Sequence, residues 1–312
     1  MNKTNEAVAS EPARPPAKHP GRLGGFSLAT FALILGFSRP LYDLVRFAIQ
    51  SDLYSHIVLV PCISLYLVWV KRKTLPPARD ADRRLGVLFL LPGLVVLGGY
   101  WLAALSGTEL AREDYLALTI LSFLLLFGGI CGLFLGRPLL RSLSFPLGFL
   151  AFMIPLPVFF MDWTEDFLQH GSAAVAYGLF RVSGTPVFYH DLIFQLPGMN
   201  LRVAPECSGI HSSLALFMTS LLAGYFFLHT QGKRVVLALA VILLGLLRNG
   251  VRIFTIGELC VHVSPDMIDS YIHRHGGPVF FVLSLIPFFL LLFFLMKSDR
   301  LTVEAKSGNS EA

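Results

Sequence analysis

A cysteine occupies a position that suits a nucleophile. Cys207 lies in A-P-E-C-S-G-I-H-S-S, directly before a long apolar run. A thiol in the first turn of a helix faces unpaired backbone N–H groups and the positive end of the helix dipole, and both stabilise the thiolate. His211, one turn further on, could serve as a base. The alternatives are a cysteine that only packs in the interior or one that pairs with Cys260.

Two arginines and an asparagine interrupt a later apolar run, in L-L-R-N-G-V-R-I-F. Arg248 and Arg252 are one helical turn apart and share a face, and Asn249 neighbours both. Guanidinium groups in an apolar span are costly and normally face a protein interior or an aqueous cavity. The pair could therefore line a functional cavity or bind an anionic substrate. The alternative for Arg252 is extension to lipid headgroups at the end of the helix.

Histidines supply candidate proton carriers near neutral pH. His273 and His275 lie in S-Y-I-H-R-H-G-G-P, and His56 opens another apolar run in Y-S-H-I. Either of the first two could take the thiol proton, and His56 could line the same site. The alternative is that these imidazoles are ordinary surface groups. Because zinc-type cysteine spacing, phosphate loops and dinucleotide fingerprints are missing from the sequence, we expect no metal and no organic cofactor.

The elements that carry these groups are membrane-spanning helices. Apolar residues make up 54% of the chain and charged residues only 14%, whereas soluble domains carry about 25% charged residues. The sequence predicts an all-α polytopic membrane protein with about eight transmembrane helices. Arg39-Pro40 interrupts the first of them. The predicted spans are 24–38, 54–70, 85–105, 115–135, 142–160, 209–228, 235–256 and 278–296.

Basic residues predict the orientation of these spans. Most Lys and Arg residues lie between the apolar blocks, where they orient helices and do not indicate nucleic-acid binding. With the N-terminus in the cytoplasm, most of them fall inside, so we expect both termini there. We predict a disordered cytoplasmic tail over 1–22, a single transmembrane domain over 23–297 and a cytoplasmic tail over 298–312.

The longest stretch between spans, 161–208, would then lie outside the membrane. We expect a short surface helix around Phe167–Val182, followed by a β-hairpin that turns at Pro197-Gly198. Together they would form a small extracytoplasmic cap.

The alternating direction of the spans brings three of the candidates to one depth. Cys207 opens the sixth span, Arg252 lies near the end of the seventh, and His273 lies just before the eighth. The helix from Arg234 to Arg252 would be about 27 Å long, close to the thickness of the hydrocarbon core. We therefore expect the three groups to meet at the outer boundary of the membrane.

These motifs resemble the exosortase/archaeosortase family from about residue 35 onward. The resemblance rests on A-P-E-C-S-G-I at 204–210, on N-G-V-R-I at 249–253 and on H-x-x-x-G-x-x-x-F, which runs from His273 to Phe281. The stretches Y-S-H-I-V-L-V-P at 54–61 and P-L-P at 155–157 support it.

The resemblance implies a thiol protease and transpeptidase of the cell membrane, with sortase-like chemistry on an unrelated fold. Its substrates would be exported proteins with a PEP-CTERM type sorting signal: a motif such as Pro-Glu-Pro, an apolar helix and a basic tail. Cys207 would form an acyl-thioester, Arg252 would donate a proton or stabilise charge, and His273 would take the third position. A lipid or glycan acceptor in the envelope would resolve the thioester.

The resemblance further implies residence in the cytoplasmic (inner) membrane, with the active site outside and membrane lipids around the helices. The main alternative is a small transporter or flippase that binds an anionic substrate through Arg248 and Arg252. A scaffold in polysaccharide export is a further alternative, which would tolerate loss of the candidate residues.

Overall fold

The computed structural model describes residues 20–77, 82–204, 208–264 and 277–308. These residues form helices for most of their length, with one small sheet. The helices are α1 (Pro20–Gly36), α2 (Ser38–Gln50), α3 (Leu59–Lys71), α4 (Arg83–Leu105), α5 (Arg112–Leu135), α6 (Arg137–Ser142), α7 (Ser144–Phe149), α8 (Val158–Ser183), α9 (Ile210–Phe227), α10 (Gln231–His262) and α11 (Gly277–Gly308). Short 3-10 helices cover Ser55–Val58 and Leu150–Met153.

Five of these helices are long and apolar enough to cross a membrane: α4, α5, α9, α10 and the Gly277–Leu301 part of α11. The number rises to seven if each of two bent helix pairs is one span. One pair is α1 with α2, bent by 65°, and the break lies at Phe37, next to the predicted interruption at Arg39-Pro40. The chain is thus a mostly helical polytopic membrane protein. The predicted count of eight spans is not confirmed.

The predicted span over 142–160 is not one helix in the structure. This stretch contains the end of α6, then α7, the second 3-10 helix and the first turn of α8. Pro155 and Pro157 separate the last two, and neither residue has an N–H group with which to continue a helix. Pro157 is instead the residue that precedes α8. The sequence I-P-L-P thus ends one helical segment and begins the next.

The chain divides into two compact units. One runs to Phe47 and includes Ile57–Pro155; the other consists of Ala48–His56 and the chain from Leu156 onward. In the first unit α4 packs closely on α5, and a Cβ atom on Gly132 would lie 2.9 Å from the backbone nitrogen of Gly86. The second unit carries the candidate site.

The second unit contains a three-stranded antiparallel sheet in the order β1 (Phe188–His190), β2 (Ile193–Leu196) and β3 (Met199–Arg202). The turn at Pro197-Gly198 joins β2 to β3 where the sequence predicted it. β1 was not predicted, since its turn to β2 uses Asp191 and Leu192 in the left-handed region in place of glycine. That this sheet caps an extracytoplasmic surface stays a prediction.

α8 is longer and more deeply packed than the predicted surface helix. It begins at Val158, and one face, with Ala173, Ala176 and Phe180, is fully buried. The contact with α10 is close, because a Cβ atom on Gly250 would lie 3.0 Å from the Ser172 carbonyl oxygen. A second cluster, with Leu216, Leu237 and Phe288, joins α9, α10 and α11. These contacts hold α10 between its neighbours.

Candidate functional site

A cavity of about 590 Å³ lies in the second unit, among α8, the start of α9, the later part of α10 and the start of α11. Its walls are mixed in character, with apolar groups such as Phe281 beside hydroxyl and charged groups. The lining residues are Glu165, Ser208, Gly209, Ile210, His211, Ser212, Ala215, Arg252, Gly277, Pro278 and Phe281. A cavity of this size accommodates a short peptide segment.

Charged groups of opposite sign line this cavity. Arg252, on α10, was predicted as a site residue, whereas Glu165, on α8, was not. Glu165 lies three and four residues before the buried Leu168 and Gln169 and so shares their face, but the sequence pattern alone does not show that these two side chains are buried. An acidic group on the buried face of an amphipathic helix is uncommon unless it lines a polar site.

The start of α9 has an unusual backbone geometry at the cavity wall. Gly209 precedes the helix with φ of 71°, in the left-handed region that favours glycine. Ser208 is 1% exposed, and its hydroxyl accepts a hydrogen bond from the Ile210 N–H at 3.4 Å. The Gly209 carbonyl accepts bonds from the Ser212 hydroxyl at 3.1 Å and from the Ser213 N–H at 3.0 Å.

Arg248 and Asn249 lie behind this segment and are both buried. Arg248 donates through Nη2 to the Gly209 carbonyl at 3.2 Å and to the Ser213 hydroxyl at 3.3 Å. Asn249 donates through Nδ2 to the Ser208 carbonyl at 3.2 Å. The two side chains therefore bond to the backbone on which the cavity wall is built. Neither is among the described residues that line the cavity.

The other predicted site residues divide into two groups. His211 lines the cavity with Arg252. His56 does not line it within the described part of the chain; its Nδ1 lies 3.0 Å from the Leu53 carbonyl oxygen. Cys207, His273 and His275 lie outside the described residues. The described residues hold no group of three or more His, Cys, Asp or Glu side chains that could bind a metal ion.

Comparison with known proteins identifies the family. The family model for the transmembrane exosortase matches residues 47–290, which is most of the chain. No curated protein and no solved structure matches it. The matched range includes every residue that lines the cavity. With its multiple apolar helices, the chain belongs to the transmembrane exosortase family, whose membrane-embedded members process the C-terminal sorting signals of exported proteins.

Proposed function

We propose that this protein is a cysteine transpeptidase, which cleaves C-terminal sorting signals through an acyl-thioester on Cys207 and transfers the exported protein to an envelope acceptor. One observation carries the proposal: a single cavity is lined by Ser208, by Arg252 and by Gly277. These residues belong to the three separate segments in which the sequence predicts the nucleophile, the arginine and the histidine.

Chain connectivity limits how far the predicted groups can be from that cavity. Cys207 directly precedes Ser208, and consecutive Cα atoms are about 3.8 Å apart. His275 is two residues before Gly277 and His273 is four before it, which limits their Cα atoms to about 7 Å and about 14 Å from that of Gly277. Connectivity thus permits either histidine to serve the cavity, and both remain candidates for the proton carrier.

The proposed reaction has two steps at one carbonyl carbon. The Cys207 thiolate attacks the scissile carbonyl, and Arg252 stabilises the oxyanion that develops. The C–N bond then breaks, the leaving amine takes a proton from the histidine, and the thioester remains. An acceptor hydroxyl or amine gives its proton to the now neutral histidine and attacks the thioester, which releases the thiolate and restores the starting protonation state. If water replaces the acceptor, the same enzyme acts as a protease.

The surroundings of the two arginines favour this function over transport. A transport site built on Arg248 and Arg252 requires both guanidinium groups to face one substrate. Arg248 instead donates to the Gly209 carbonyl and to Ser213, and only Arg252 of the pair lines the cavity. We therefore favour acyl transfer.

We propose that the enzyme resides in the cytoplasmic membrane with both termini in the cytoplasm and the cavity on the outer side. The transmembrane domain would cover 23–297, with short tails at each end. The substrate's apolar helix would lie in the lipid, and its recognition motif would occupy the cavity mouth.

The proposal is tested in cells that lack the native enzyme and export a reporter ending in a Pro-Glu-Pro motif, an apolar helix and a basic tail. Cys207→Ala is expected to abolish processing while the protein still inserts into the membrane. Cys62→Ala is the matched control, because this exposed cysteine on α3 lies outside the cavity lining, and it should process normally. Undiminished processing by Cys207→Ala overturns the proposal, and so does full processing by Cys207→Ser, because a thioester requires the thiol.

A further inference from the structure

We infer that Arg248 and Asn249 are positioning residues, which act through the Ser208–Gly209 backbone beside the nucleophile and do not bind substrate. The inference rests on the proposed function, because it assigns these side chains a task only if Cys207 reacts. It concerns two residues whose types alone, in an apolar span, favour a binding role.

The contacts of the two side chains are directed at consecutive peptide groups. Asn249 is 2% exposed and donates to the Ser208 carbonyl; Arg248 is 8% exposed and donates to the Gly209 carbonyl. Arg248 also bonds to Ser213, one turn into α9. Two adjacent carbonyl groups and the first turn of the helix are therefore tied to one short stretch of α10.

The Arg248 and Asn249 side chains pack closely against the Gly209 backbone. A Cβ atom on Gly209 would lie 3.0 Å from Arg248 Nη2 and 3.1 Å from Asn249 Oδ1. Only a glycine with positive φ permits both side chains to approach the backbone this closely. The sequence G-I at the start of α9 and R-N on α10 thus form one packed unit.

The bonds also determine the direction of a backbone donor. In a trans peptide the C=O and the following N–H point to opposite sides. With the Ser208 carbonyl directed at Asn249, the Gly209 N–H points away from that side chain. The positioning residues thereby orient the cavity wall at Ser208 and Gly209, the two residues that follow Cys207 in the sequence.

α10, which carries Arg248 and Asn249, is packed closely against α8 and α9. Its small residues permit close contact with α8, since a Cβ atom on Gly250 would lie 2.5 Å from Val175 Cγ1. Gly245 similarly approaches α9, where a Cβ atom would lie 2.9 Å from the Ser213 hydroxyl. Helix positions next to Arg248 and Asn249 are therefore held by packing on two sides.

The same helix offers a matched control at its other end. Arg234 donates through Nε and Nη2 to the Leu228 carbonyl at 2.9 and 2.7 Å. Like Arg248, it joins α10 to a backbone carbonyl at an end of α9, but it does not line the cavity. A structural role alone would make the loss of either arginine equivalent in its effects.

The test is the pH dependence of Cys207 alkylation by iodoacetamide, measured by mass spectrometry of the Cys207 peptide in the detergent-solubilised protein. An ordinary cysteine has a pKa of about 8.5, and we expect the wild-type midpoint to be lower. Arg248→Lys and Asn249→Ala should slow alkylation at pH 7 about tenfold, the equivalent of about one pH unit in the midpoint. Neither change removes positive charge, so the effect reports geometry. Arg234→Met should keep the wild-type profile.

Several results overturn the inference. Wild-type profiles in both Arg248→Lys and Asn249→Ala contradict positioning, and so does an equal change in Arg234→Met. A profile altered in Arg248→Met but normal in Arg248→Lys shows that charge alone matters. Ser213→Ala, which removes only one bond of Arg248, is the milder variant if the others fail to fold, and it too should slow alkylation. An ordinary thiol in the wild-type protein contradicts the proposed function itself, and the inference with it.

Discussion

The Asn249 side chain donates a hydrogen bond to the carbonyl of Ser208, the residue that directly follows Cys207. The bond joins α10 to the segment that precedes α9 at the wall of the cavity, 3.2 Å from nitrogen to oxygen. An asparagine in an apolar span is normally expected to bond within the protein or to line a cavity. Here it bonds within the protein and holds the Ser208 backbone, which forms part of the cavity wall.

Gly209→Ala should impair processing of the reporter more than Gly184→Ala does. Gly209 and Gly184 both have positive φ, at 71° and 83°, so alanine costs about 1–2 kcal/mol at either position. A Cβ atom on Gly184 meets no atom within 4 Å, whereas one on Gly209 crowds Arg248 and Asn249. We expect a similar or greater loss of thermal stability in Gly209→Ala and a loss of processing confined to it. Equal processing by the two folded variants would contradict the positioning role.

Arg252→Lys should fail to process the reporter although it keeps its charge. A lysine presents a point charge and does not reproduce the planar fork of a guanidinium group. Loss of one oxyanion donor typically lowers the rate about a hundredfold. The measurement is the initial rate of reporter cleavage, with Arg202→Lys, at an exposed position on β3, as the control. A fully active Lys variant would instead indicate that Arg252 only extends to the lipid headgroups.

Asp299→Asn should destabilise the protein without altering the chemistry. The Asp299 side chain is 1% exposed and accepts hydrogen bonds from the His229 N–H and the Thr230 hydroxyl, both at 2.6 Å. Lys233 lies 3.4 Å away. Because bonds to a charged acceptor contribute about 1.5–3 kcal/mol, we expect a loss of stability of about that size in thermal unfolding.

The control for this change is Asp191→Asn, since the Asp191 side chain is 85% exposed in its pair with His190 and such pairs contribute little. The Asp299 cluster lies near the start of α10 and Arg252 toward its end. The folded fraction of Asp299→Asn should therefore process the reporter at the normal rate. A lower rate per folded molecule would contradict a purely structural role for Asp299.

The proposed orientation predicts which loops are accessible from the extracytoplasmic side of the membrane. Asp191→Cys, in the turn between β1 and β2, should react with a membrane-impermeant maleimide in intact cells. Gln231→Cys, at the exposed start of α10, should react only after the membrane is opened. Mass spectrometry of the labelled peptides separates these sites from the native cysteines. The opposite pattern would place the sheet in the cytoplasm and contradict the proposed orientation.

Apolar run length predicted the main helices well. The predicted span 85–105 corresponds to Arg83–Leu105, and 209–228 corresponds to Ile210–Phe227, because apolar blocks of this length have few other stable structures in lipid. Over 142–160 it did not predict the break at Pro155 and Pro157, which divides this stretch into separate helical segments. β1 was missed because its turn places Leu192 in the left-handed region, which no local sequence pattern indicates.

In the site, as in the fold, the sequence predicted features within one helix but not those that depend on packing between helices. Spacing on one helix predicted that Arg248 and Arg252 share a face, and hydropathy placed them in one span. Spacing could not show that Arg248 bonds to the backbone while Arg252 lines the cavity. That difference depends on where the start of α9 lies relative to α10. Glu165 was missed for a related reason: its helix was predicted to begin later, so its approach to the cavity depends on packing that the sequence pattern does not contain.

The central claim is that Cys207 forms a covalent bond with the substrate. It is tested most directly by stopping the reaction of the reporter with wild-type enzyme in acid and identifying peptides attached to Cys207 by mass spectrometry. The account predicts a thioester that carries the reporter residues preceding the cleavage site, that hydroxylamine releases, and that is missing in Cys207→Ala. Continued cleavage by Cys207→Ala, with no adduct on Cys207 of the wild-type enzyme, would contradict it.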